Sequence, residues 1–126
     1  STLIHPFYGK MINLHPALLP KFRGLNTHQR ALEAKEQFHG STVHFVSPEL
    51  DAGPIISHAR YRIRPNDGPQ QQEQRSKQLE HKLLSQTLLW FTDRSISLIN
   101  DKVFINNQQS LPEGTDLTDI IQQFAS

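Results

Sequence analysis

The chain has 126 residues, with Lys+Arg 13 against Asp+Glu 12, so its formal charge is +1 when the seven histidines are neutral. That length builds one modest domain with a core, and the balanced charge supplies no field that would make nucleic acid or an anionic membrane its main partner. Zero cysteines exclude a disulfide framework, thiol catalysis and cysteine-type zinc sites; they suit a reducing compartment, and the cytoplasm is the expected location.

A mean hydropathy of -0.53 leaves no stretch of membrane-spanning length. Ser1 opens neither with Met nor with a charged region followed by an apolar run, and the start is read as a cut end rather than a signal peptide.

Residues 10–15 form a short apolar-weighted run that stops at Pro16, the pattern of a buried strand ending in a loop, with Asn13 and His15 on one side of it. Two prolines and a glycine make 16–24 a loop packed by its own apolar side chains. Asn26 or Thr27 is placed to cap a helix running to about Ala34, which Gly40 then breaks. Alternation with β-branched and aromatic residues predicts strands over 41–46 and 55–63, joined by the turn-rich segment 47–54.

The turn Asn66, Asp67, Gly68, Pro69 opens the longest helix, in which Leu79, Leu83, Leu84, Leu88 and Phe91 recur at helical spacing up to about Asp93. A hairpin over 95–105 turns at Asn100, Asp101 and Lys102, and Leu117, Ile120, Ile121 and Phe124 have the spacing of a short closing helix.

The chemistry concentrates in Asn13 and His15 at one strand end and the acidic loop Glu49, Leu50, Asp51 after another. Side chains from adjacent strands converge at such ends on rigid backbone. An amide donor, a titratable imidazole and a carboxylate that holds the imidazole charged are the equipment for stabilising an oxyanion on a carbonyl carbon. No nucleophile stands among them, and Ser41 and Thr42 lack the glycine pattern of a nucleophile elbow, so direct transfer between two bound substrates fits better than a covalent route. The structural alternative is that Asn13 satisfies turn backbone and His15 is an ordinary polar strand end. His15, His28, His39 and His44 lack the spacing of a zinc site, and no metal is expected. Lys77 and Glu80 are three apart on the long helix, the ordinary arrangement of a surface ion pair.

The string from Asn13 to His28, then 39–46, then Glu49, Leu50, Asp51, Ala52, Gly53, Pro54, Ile55 and Ile56 resembles the phosphoribosylglycinamide formyltransferase family. The resemblance continues through Gln78, Leu79, Glu80 and His81 and reaches about Leu111. It implies transfer of the formyl group of 10-formyltetrahydrofolate, as co-substrate, to the amine of glycinamide ribonucleotide in purine biosynthesis. Asn13, His15 and Asp51 match the family's catalytic trio. Ser47, Pro48, Glu49, Leu50 and Asp51, with Asn13, match its folate-binding residues, and Lys77, Gln78, Leu79 and Glu80 match the helix segment that contacts the ribonucleotide. On that resemblance the Lys77–Glu80 face becomes a substrate face.

Related formyltransferases share the Asn-x-His core. The formyltetrahydrofolate hydrolase branch usually carries a second His where Pro16 stands, and the methionyl-tRNA branch continues differently after Arg23 and Gly24. Arg23 itself stands where the family often has Pro. The family's Gly-Ser-Asn phosphate loop is not among the six glycines here.

The expected fold is therefore α/β, the C-terminal part of the formyltransferase fold, with a Rossmann-like mixed sheet, flanking helices and no N-terminal half. Residues 1–111 would be the catalytic and folate-binding part and 112–126 a tail with a short helix. As such a piece the chain is expected to be inactive or weakly active. Hydrolysis of the formyl folate, or a non-catalytic folate-binding or self-associating role, are the alternatives. Its partners would be small molecules, with no nucleic acid or membrane, and the exposed sheet edge leaves room for a homodimer.

Overall fold

The computed structural model describes residues 11–47 and 53–123. Its main sheet has the order β1 (Ile12–His15), β2 (Phe38–Phe45), β3 (Ile55–Arg62), β7 (Thr115–Asp116). The first three strands are antiparallel neighbours and β7 lies parallel to β3, so the expected mixed sheet is present. Alternation gives each face its own composition. Val43, Phe45 and Ala59 point to one face, where they form a core with Leu83 of α2 (Pro69–Asp93) and with Leu117 and Ile121. The other face carries Asn13, His15, Thr42 and His58, and loop 16–24 packs on it.

The chain enters α1 (Thr27–Glu33) through Asn26, whose backbone is left-handed (φ 57) and whose side chain makes no capping bond. This corrects the expected side-chain cap, because that geometry needs an extended backbone at the capping residue. The Thr27 hydroxyl is also engaged elsewhere, donating to the Pro16 carbonyl at 2.6 Å. Gly40 does not break this helix. The chain has already left α1 at Ala34 and Lys35 (φ 55), and Gly40 sits inside β2. A Cβ there would lie 2.0 Å from the Ala59 carbonyl oxygen, so glycine is required by the close approach of β3.

α2 spans 25 residues, and Pro69 occupies its first turn while the Gln71 side chain reaches back to the Gly68 N–H at 2.9 Å. Its buried stripe is Gln72, Ser76, Leu83 and Thr87. Of the leucines that suggested the helix, only Leu83 is fully buried, and Leu88 is exposed. The polar members are matched: Tyr61 OH donates to Gln72 Oε1 at 2.8 Å, and Ser57 Oγ donates at 2.8 Å to Thr87 Oγ1, which itself donates to the Leu83 carbonyl. Arg75 and Gln72 both donate to Asp67, and the Arg75 guanidinium holds that carboxyl below its ordinary range.

The predicted hairpin is β4 (Ile96–Ile99) with β5 (Lys102–Ile105), turning at Asn100 and Asp101, both with positive φ. Asn106 and Asn107 repeat that turn and lead to a third strand, β6 (Gln108–Gln109), which the sequence reading did not separate. The segment after Leu111 then joins the main sheet as β7 and closes with α3 (Thr118–Gln123). Leu117 and Ile121 are buried while Ile120 is exposed, and Phe124 lies outside the described residues.

Candidate active site

β1 lies against β2 so that Asn13 faces His44 and His15 faces Thr42. Asn13 is exposed and His15 is buried. The His15 Nε2–H donates to the Phe22 carbonyl at 2.7 Å, since a carbonyl can only accept; this fixes the ring's orientation from the loop. Thr42 secures that loop, donating to the Ala17 carbonyl at 2.7 Å and accepting from Leu19 N–H at 3.1 Å. Thr42→Val keeps the shape and removes both bonds, leaving buried backbone groups unpaired. We expect a loss of about 2 kcal/mol, checked by denaturant unfolding; an unchanged midpoint would mean that the loop is held by packing alone.

His44 belongs to the same group, buried beside Asn13 with Nδ1–H donating to its neighbour's carbonyl at Phe45, 2.9 Å away. Sequence reasoning gave it no role, although the alternation of β2 places it on the face of Thr42. The loop after β2 sets out next to these residues. Val46 N–H donates to Met11 and Phe45 N–H to Pro54, both at 2.9 Å, so the two ends of the loop are clamped to the sheet. Gly53 is pressed against this clamp: a Cβ would meet the Phe45 carbonyl oxygen at 1.6 Å and His44 Nδ1 at 3.3 Å. Ser47 is half-buried at the loop's start, whereas Pro48, Glu49, Leu50 and Asp51 lie outside the described residues.

A second imidazole group stands where β2 extends past β1. His28 Nδ1 and His39 Nε2 are 3.0 Å apart, one donating to the other, and the His39 ring also meets Phe22 and Tyr61 edge-on. Burial pushes His39 down to about 4, helped by the neighbouring His28 and His15 and opposed by Glu36 and the Pro16 carbonyl. Burial also lowers His28, against the pull of Glu80 and Glu73 on α2. No sequence spacing revealed this pair, because the contact is made only when α1 folds onto the sheet.

On α2 the four expected ribonucleotide residues diverge. Lys77 and Gln78 are exposed, Leu79 packs on the core, and half-buried Glu80 accepts from Ser76 Oγ at 3.0 Å. Lys77 pairs with Glu73 at 3.2 Å rather than with Glu80. Among the described residues no group of three His, Asp or Glu side chains is placed to hold a metal ion, and no helix is long and apolar enough to cross a membrane.

An amide and an oriented imidazole two residues apart on one strand, beside the clamped ends of a loop at Phe45, Val46 and Pro54, make a frame for chemistry at a carbonyl carbon. Residues 1–88 match the formyl transferase family, and the chain belongs to it. Within the family it is 40% identical over 107 residues to the phosphoribosylglycinamide formyltransferase of Haemophilus influenzae, covering 85% of this chain and 50% of that protein. It is 35% identical over 113 residues to the enzyme of that name from Escherichia coli, covering 90% of this chain and 53% of that protein.

The solved phosphoribosylglycinamide formyltransferase from Coxiella burnetii, in complex with CHES, superposes with a TM-score of 0.85 at 42% identity over 91% of this chain and 54% of its own. A formyltetrahydrofolate deformylase from Pseudomonas syringae pv. tomato superposes with a TM-score of 0.76 at 28% identity over 82% of this chain and 35% of its own. The chain thus spans about half the length of the curated relatives it matches.

Proposed function

We propose that the protein to which this chain contributes its Asn13–His15 strand transfers the formyl group of 10-formyltetrahydrofolate to the amine of glycinamide ribonucleotide, a cytoplasmic step of purine biosynthesis. The observation that carries this reading is the Asn13–His15 pair itself, held against the end of β2 from which the sequence runs on to Asp51. The 42% identity to the Coxiella burnetii phosphoribosylglycinamide formyltransferase, against 28% to the deformylase, favours an amine over water as the acceptor.

In this mechanism the amine of glycinamide ribonucleotide attacks the formyl carbon, forming a C–N bond and placing negative charge on the formyl oxygen. The Asn13 amide and the His15 ring stabilise that oxygen. One N–H of His15 is already committed to Phe22. A second N–H exists only on the protonated ring, the form a carboxylate at Asp51 would favour. Collapse breaks the bond from the formyl carbon to the folate nitrogen, which receives a proton as the attacking amine loses one. Pro48, Glu49 and Leu50, with Ser47, would read the folate ring through backbone groups, and Glu80 would receive the ribonucleotide amine while Lys77 and Gln78 flank it.

The test is acceptor dependence in the intact protein. Tetrahydrofolate should appear only when glycinamide ribonucleotide is added, in equal amount to formylated product. Formate released without an acceptor would replace this reading with hydrolysis. The chain by itself should show weak turnover or none in the same assay.

A further inference from the structure

A cavity of about 510 Å³ opens between loop 16–24, the turn after α1 and the edge of β3, and neither Asn13, His15 nor residues 77–80 line it. Its volume falls in the range of small-molecule sites, roughly 300–1,000 Å³. Leu18, Phe22 and Phe38 supply apolar and aromatic wall, and Lys21, Lys35 and Arg60 supply positive charge. Lys21 is neutralised by Glu36 at 3.1 Å. Among the described residues no carboxylate comes within ion-pair distance of Lys35, Arg60 or Arg62. Asp116 feels the charge of Arg60 but is bonded to Thr118 and faces His58.

The two arginines share one aromatic ring. The guanidinium carbon of Arg60 lies 4.6 Å from the Phe38 centroid and that of Arg62 lies 5.2 Å from it. Stacking holds a guanidinium flat and leaves its N–H edge free to meet an oxyanion two bonds at a time. Two such cations on one ring repel each other, and an anion seated at their edge relieves that repulsion.

From this arrangement we propose that the cavity binds a small organic phosphate, with the phosphate on Arg60 and Lys35 and the organic body against Phe38, Phe22 and Leu18. The volume is far larger than a bare phosphate needs, and the apolar wall has no use for one. This site is separate from the formyl-transfer site and does not depend on that reading.

The test is an NMR titration of the whole chain with adenosine 5′-monophosphate at low salt, with adenosine and inorganic phosphate as comparison probes. The nucleotide should shift the amides of residues 35–38 and 60–62 saturably, adenosine should not, and inorganic phosphate should bind distinctly more weakly. Arg60→Gln should weaken nucleotide binding by about tenfold, the loss of one bidentate charged contact. Lys35→Gln, at an exposed turn, should weaken it severalfold and decides the matter if Arg60→Gln does not fold. Four results would overturn the proposal: no saturable shift, shifts centred on residues 77–80, unchanged affinity in the folded variants, or inorganic phosphate binding as tightly as the nucleotide.

Discussion

Replacing His15 with Ala in the intact protein should lower kcat by about two to three orders of magnitude, the usual contribution of an oxyanion donor or a positioned acid, while KM for the folate changes far less. The ring is buried and oriented by its bond to Phe22, so its geometry is set before any substrate arrives. Asn13→Ala should act on the same parameter and in the same direction, because both groups are proposed to stabilise the same oxygen. The double variant should then lose less than the product of the two single losses. Single-turnover kinetics would separate the chemical step from substrate binding. A His15→Ala enzyme that keeps more than about a tenth of its kcat would remove His15 from the chemistry.

Acidification should destabilise the chain through His39, and the sign follows from its lowered pKa. Burial holds the folded ring near 4, against an unfolded value of 6.5, so between these limits the unfolded chain binds more protons than the folded one. Stability is therefore fully present above about pH 6.5 and falls as the pH drops toward 4. The full shift corresponds to about 3 kcal/mol as an order of magnitude. His28, also lowered by burial and 3.0 Å away, adds to the loss in the same direction. Urea unfolding measured across pH 4 to 7 should show the decline. His39→Gln cannot titrate, and should flatten it even though the variant is less stable at neutral pH. An equally steep acid limb in His39→Gln would assign the effect to other groups.

Local pattern was enough to find β1, β2, β3, α2 and the β4–β5 turn, because alternation, helical spacing and an Asn-Asp pair are properties of neighbouring residues. It failed where the cause lies in another part of the chain. Gly40 looks like a helix breaker in sequence, but it is a glycine because the Ala59 carbonyl passes over it. The buried stripe of α2 was only half legible for a similar reason: Leu79, Leu83, Leu84 and Phe91 pack on the core as their spacing predicts, but Gln72, Ser76 and Thr87 count as polar until Tyr61 and Ser57 are known to meet two of them. β6 and β7 are two residues long and have no period to read.

At the site, the Asn13-Leu14-His15 alternation already put the amide and the imidazole on one side, and β1 keeps that arrangement. The His28–His39 contact and the place of His44 beside Asn13 are tertiary facts that spacing does not encode.

The two buried hydroxyl and amide matches on α2 also act as a ruler. Gln72 is fastened to β3 through Tyr61 and Thr87 through Ser57, at positions 15 residues or about 22 Å apart along the helix axis. An apolar interface tolerates sliding, since one methyl can replace another, but a hydrogen bond is lost within about an ångström of misalignment. A displacement of α2 by one turn, about 5.4 Å, would break both fasteners together. Glu80 sits between them, so its distance along the helix from the sheet is set at both ends, and the carboxylate keeps its station even though, among the described residues, its side chain is bonded only to Ser76 of the same helix.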